Sequence, residues 1–99
     1  MDIETGQVYT IKMNSGEEVV AKIVEANDRW LELEHPVSIA PSPQGMALVP
    51  ALFTADTKQK ITVNINSVSM HCPTDESVRV KYIEATTGLR VPDKKILMS

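Results

Sequence analysis

Apolar and polar residues alternate at period two in short runs cut by turn signals, and this pattern limits the possible folds more than any other feature of the chain. The runs are VYTIKM (8–13), EEVVAKIVE (17–25), WLELEH (30–35), MALVPALF (46–53) and ITVNINSVSM (61–70). Alternation of this kind places one set of side chains on each face of a strand, so these stretches read as half-buried strands. The segments between them, NSG (14–16), ANDR (26–29), PSPQG (41–45) and ADTKQK (55–60), are turn chemistry. Parallel pairing needs a crossover of about a dozen residues or more. No such crossover separates the runs, so the sheet is expected to be antiparallel. Five such strands bend most readily into a small, partly open barrel.

Within the runs, side-chain identity assigns faces. Val19, Ala21 and Ile23 share one face of the second strand, and Val20, Lys22 and Val24 the other. Glu, Ala and Lys also suit a helix over 17–26. Three valines and an isoleucine in six residues favour the strand. In the third run Leu31 and Leu33 oppose Glu32 and Glu34, and Pro36 is expected to end the strand or place it at an edge. PSPQG reads as the clearest loop. Pro50 interrupts the fourth run, which suggests a bulge or bend. In the fifth, Ile61, Val63 and Ile65 oppose Thr62, Asn64 and Asn66; the phase slips near Ser67 and resumes at Val68 and Met70. After Pro73 the pattern becomes helical. Thr74 is the expected N-cap, Asp75 and Glu76 lie in the first turn, and Gly88 stands at C′. Val78, Tyr82 and Ala85 share a face flanked by Ile83. The expected organisation is a single domain over 1–99: a barrel over 7–70, a helix over 74–88 and a tail over 89–99.

Ninety-nine residues suffice for one small domain with a thin core, which oligomerisation would help. Hydrophobic residues at 42% and charged residues at 23% argue against disorder. The longest apolar run, 46–53, falls well short of the ~20 residues that cross a bilayer, so no membrane association is expected. The start MDIETG lacks a basic region followed by an apolar one, the pattern of a secretion signal. The lone cysteine, Cys72, excludes an internal disulfide framework, and the expected setting is a reducing cytoplasm. A net charge of −3 disfavours a general backbone-gripping nucleic-acid binder.

The order of pieces resembles the Sm-like family, the ring-forming Sm, LSm and bacterial Hfq proteins. The residues that carry the resemblance are IKMNSG, then Val19, Ala21 and Ile23, then Asn27 and Asp28, then Leu31 and Leu33. Ala21 stands where the family places glycine at the bend of its second strand. Short Sm-like chains of tailed phages are similar in GEEVVA, the middle LVP and the helical Tyr82. The resemblance implies a five-stranded, strongly bent antiparallel open barrel, mainly β, followed here by a C-terminal helix. It further implies a homo-oligomeric ring of about five to seven subunits, closed by pairing strand 46–53 with strand 61–70 of the next subunit. Oligo-uridine readers of the family carry an Asn within Asp-x-x-Met-Asn before the third strand. In NDRWLEL that Asn is missing, and Trp30 stands nearest its place. The family's Arg-Gly or Lys-His pair is absent from TADTKQK.

The candidate RNA-binding residues are Asn27, Asp28, Arg29, Trp30, Lys58 and Lys60. Trp30, the one tryptophan, is either a stacking platform for a base, assisted by Arg29, or an anchor at the barrel mouth or a subunit contact. Lys58 and Lys60 are expected on the same side as 27–30, where they would meet phosphates; otherwise they are simply solvated. His35, His71 and Cys72 match no zinc spacing, so no metal site is expected. Cys72 lacks a base and an orienting group. Glu17, Glu18, Glu32 and Glu34 read as solvated strand faces. No Gly-rich phosphate loop is present. Neither catalysis nor a cofactor is expected. Two functions follow: a ring protein with weak single-stranded RNA binding at its pore-side turns, or a non-enzymatic adaptor or assembly protein, for instance phage-encoded, that binds another protein through the helix 75–87 or the tail, without RNA. The mark of the second would be an apolar helix face left uncovered by the barrel.

Overall fold

The computed structural model describes residues 3–88; the expected tail over 89–99 lies outside the described residues. Among the described residues six strands appear: β1 (Val8–Met13), β2 (Glu18–Ala26), β3 (Trp30–Ser42), β4 (Gly45–Pro50), β5 (Ile61–Asn64) and β6 (Val68–Pro73). A 3-10 turn (Ile65–Ser67) joins β5 to β6, and one helix, α1 (Glu76–Thr87), follows. All strand pairs are antiparallel. The sheet order is β4-β3-β2-β1-β6, with β5 also on β3. The chain is mainly β, a curled antiparallel sheet with a C-terminal helix, as the alternation and the short connections require.

The expected fifth strand over 61–70 is two strands. Ile61–Asn64 pairs with β3 and Val68–Pro73 pairs with β1, so one segment reaches both edges of the β3-β2-β1 unit. The 3-10 turn makes that crossing. It is held at one end by the Ile65 N–H donating to the Arg29 carbonyl at 2.8 Å, and at the other by the Asn14 N–H donating to the Ser67 carbonyl at 2.7 Å.

The third strand does not stop at Pro36. It runs on to Ser42, and PSPQG is mostly strand, closed by Pro43 and Gln44. The ladder explains how. Val20 faces Val37 and Lys22 faces Glu34, so His35 and Pro36 together oppose Ala21. Proline's missing N–H is harmless in such a bulge. His35 adopts φ 49, the one positive φ among the described non-glycine residues. Before the bulge β3 pairs with β5; after it, the same edge pairs with β4. The fourth strand ends at Pro50, short of the expected 53, with no bulge inside it.

Two further bulges set which side chains enter the core. Ile23 faces Leu33 and Glu25 faces Glu32, leaving Val24 as the extra residue. The shift of phase turns Glu25 outward and brings Ala26 against the core. In β6, Ser69 is the extra residue between the Met70 and Val68 pairings. Val68 packs inward as expected, but Met70 is turned out to solvent, 66% exposed, and His71 turns in beside the Tyr9 ring. The Nδ1 atom of His71 is buried without a hydrogen-bond partner.

The inner cluster is Tyr9, Ile11, Val19, Ala21, Ile23, Leu31 and Leu33. The outer face carries a second cluster, in which Val8, Val20 and Val37 take Tyr82, Val78 and Ile83 of α1. The two expected faces of β2 are thus both used, one inside the barrel and one under the helix. Ala85, expected on the apolar helix face, is exposed. The helix cap is Asp75, not Thr74. Its carboxylate accepts from the N–H groups of Ser77 and Val78, which lowers its pKa together with the Ser77 hydroxyl, the largest cause. The Thr74 hydroxyl instead meets that of Thr10 at 3.0 Å. Gly88 closes the helix in the left-handed conformation at φ 75.

Candidate functional site

The turn before β3 is built by one side chain. Asn27 Oδ1 accepts from the N–H groups of Arg29 and Trp30, at 2.8 and 3.0 Å, and the Asn27 N–H donates to the Trp30 carbonyl at 3.1 Å. An Asx turn of this kind spends the carboxamide oxygen on the backbone. It leaves Asp28, Arg29 and the 39%-exposed Trp30 at the surface.

Lys58 and Lys60 do not join this turn. Trp30 pairs with Asn64, and Leu33 pairs with Ile61. Lys60 therefore follows the far end of the β3–β5 ladder, about 10 Å away at about 3.3 Å per residue. The expectation that both turns lie on one side fails because antiparallel pairing sets the start of β5 opposite Leu33, not opposite Trp30. Lys60 Nζ sits 4.0 Å from Glu32 Oε1, and the Lys58 N–H is held by Asp56 Oδ1 at 3.0 Å.

The neighbour of the 27–30 turn is instead the 3-10 turn. Asn64 Oδ1 caps it by accepting from the Asn66 N–H at 2.8 Å, and Asn14 Nδ2 donates to the Asn66 carbonyl at 2.6 Å. Three turns thus meet in one rim that offers an indole, a guanidinium and several carboxamides. Asn14, Asn64 and Asn66 are absent from the sequence-derived site. The signal available for Asn64 and Asn66 was the break in alternation at NINS, which reads equally as a bulge; Asn14 reads only as a turn residue in NSG.

Such a rim can stack a base on the indole and offer amide donors to its edge. It has little for phosphates, since Arg29 stands beside Asp28. Among the described residues no group of three His, Cys, Asp or Glu side chains converges to hold a metal ion. No helix among them is long and apolar enough to cross a membrane. No protein-family model matches the chain, and no curated protein matches it.

Proposed function

We propose that this chain is an Sm-like, ring-forming protein of the short phage type, with single-stranded RNA contact confined to the rim of residues 27–30 and 64–66. The observation that carries the reading is the open sheet. Its order ends at β4 and β6, and β5 pairs with β3 alone, so unpaired strand edges lie on both sides of one curled sheet. Head-to-tail pairing of such edges around a rotation axis satisfies both. Exposed apolar side chains lie at the same two ends: Met46 of β4 with Leu52 and Phe53 just beyond it, and Met70 of β6. The strand order also suits the family resemblance of residues 7–70, since the segment around the 3-10 turn bridges the first and third strands.

The adaptor reading loses its expected mark. The apolar face of α1, with Val78, Tyr82 and Ile83, is packed on the sheet.

Size-exclusion chromatography with light scattering tests the ring. A single oligomer of about five to seven subunits at micromolar concentration is expected, and a monomer there ends the proposal. Trp30 is the one tryptophan, so its fluorescence reports the rim directly. Oligo-uridine should perturb it at low salt and less at high salt. No change at any salt removes RNA from the reading and leaves the ring standing.

A further inference from the structure

A groove of about 350 Å³ lies where β3 changes partner from β5 to β4. Val37, Leu48 and Pro50 line its apolar side, and Ala85 and Thr86 of the last turn of α1 border it. Val37 and Leu48 also belong to the cluster under α1, so the groove continues that cluster past the cover the helix provides.

The polar side chains around the groove ask little of an occupant. The Asp56 carboxylate accepts from the Lys58 N–H at 3.0 Å, and the Thr86 hydroxyl donates to the Tyr82 carbonyl at 2.8 Å. His35, Thr57 and Gln59 are exposed to water. The surface left without a partner is apolar. Ala85 marks it: three positions from Tyr82 it shares the apolar side of the helix, yet it is exposed.

The chain itself supplies a cover. Shortly after Thr86, α1 ends at Gly88, whose left-handed conformation turns the backbone off the helix axis while its N–H donates to the Glu84 carbonyl at 3.2 Å. A hydrophobic residue directly after such a cap commonly returns onto the last turn of the helix, and here that residue is Leu89. Pro92 biases Val91 towards an extended backbone. Extended backbone puts alternate residues on one side, which pairs Leu89 with Val91 and sets Arg90 opposite. A void of about 150 Å³ takes one benzene-sized group, so the groove has room for two aliphatic side chains. The segment is also tethered at the edge of the groove. Effective concentrations over short tethers are millimolar, and weak contacts then suffice.

We infer that this groove is the docking site of the chain's own segment 89–91, which lies outside the described residues, with Leu89 beside Ala85 and Val91 over Leu48. The contact closes the open end of the outer cluster. It is made within one chain and does not depend on ring assembly or on RNA.

Methyl NMR of the full chain tests it. Nuclear Overhauser contacts are expected between the Val91 and Leu48 methyl groups. A co-refolded mixture of chains labelled only at valine with chains labelled only at leucine should lose them. Leu89→Asp with Val91→Asp should lower the melting temperature by about 4–8 °C, with circular dichroism confirming the fold. Ala85→Glu should lower it in the otherwise wild-type chain and leave it unchanged in the Leu89→Asp, Val91→Asp background, where nothing covers Ala85. Absence of the Val91–Leu48 contacts, their survival in the mixture, or an equal effect of Ala85→Glu in both backgrounds overturns the proposal.

Discussion

Tyr82 ties the helix to the sheet through both its ring and its hydroxyl. It is 2% exposed, and its hydroxyl donates to the Glu34 carbonyl at 2.7 Å and accepts from the Lys22 N–H at 3.0 Å. These two backbone groups flank the bulge at His35 and Pro36, where the regular ladder is interrupted. A helical side chain therefore completes the bonding of a sheet. Tyr82→Phe keeps the ring packing but strands both groups, and should cost about 1–3 kcal/mol, read as a lower urea midpoint at unchanged slope. Burial pushes the phenol from its ordinary 10 up to about 12, helped by the Glu34 carboxylate and opposed by the Lys22 N–H bond. The folded state thus holds this proton more tightly than the unfolded chain. The stability it contributes is whole below pH 10 and is lost as pH rises from 10 through about 12. The wild-type midpoint should fall more steeply than that of Tyr82→Phe across this window; parallel curves would contradict the assignment.

At the scale of elements, bulges matter more than propensities. The extra residues at Val24, Ser69 and the His35–Pro36 pair each reset which side chains face the core. His35 bears the cost of one of them at φ 49. A left-handed conformation is tolerable for His and poor for a β-branched residue. His35→Val should therefore lose about 1–3 kcal/mol. His35→Gly should stay within about 1 kcal/mol of wild type, because the relief of strain offsets the added chain entropy. Thermal melts of the pair decide it, and equal losses would mean that the backbone there carries no strain. The helix start depends on Asp75, whose pKa is lowered by the bonds it accepts. That contribution is present above the carboxylate's unfolded pKa and fades as pH falls through the lowered one. Asp75→Ala should remove it and lower the melting temperature at neutral pH but not in strong acid.

For the whole molecule, the inner cluster is small and lies within one curled layer. Leu31, fully buried among Ile11, Ile23 and Leu33, is a fair probe of it. Leu31→Ala should cost about 2–5 kcal/mol, a large share of the about 5–15 kcal/mol available to a domain of this size. Chemical denaturation of the variant checks this, and a loss below about 1 kcal/mol would mean that the barrel repacks freely. Assembly belongs to the same scale. If the edges of β4 and β6 join subunits, Met70→Lys should shift the oligomer towards monomer in light scattering while leaving the secondary structure unchanged.

The sequence by itself determined the strand positions of β1, β2 and the first half of β3, their antiparallel pairing, the turn at Asn14 to Gly16 and the helix ended by Gly88. These follow from neighbours two to four residues apart, whose alternation and φ preferences are local properties. Tertiary structure alone decided that β3 passes through Pro36, that 61–70 divides to reach two edges, that Met70 faces out while His71 faces in, and that Tyr82 bonds across the sheet. It also decided the candidate site, bringing Asn64 and Asn66 to Trp30 and carrying Lys58 and Lys60 away. The physical reason is common to all of these. A bulge or a cross-strand meeting depends on the hydrogen-bond register of a partner dozens of residues distant, and no local period encodes it.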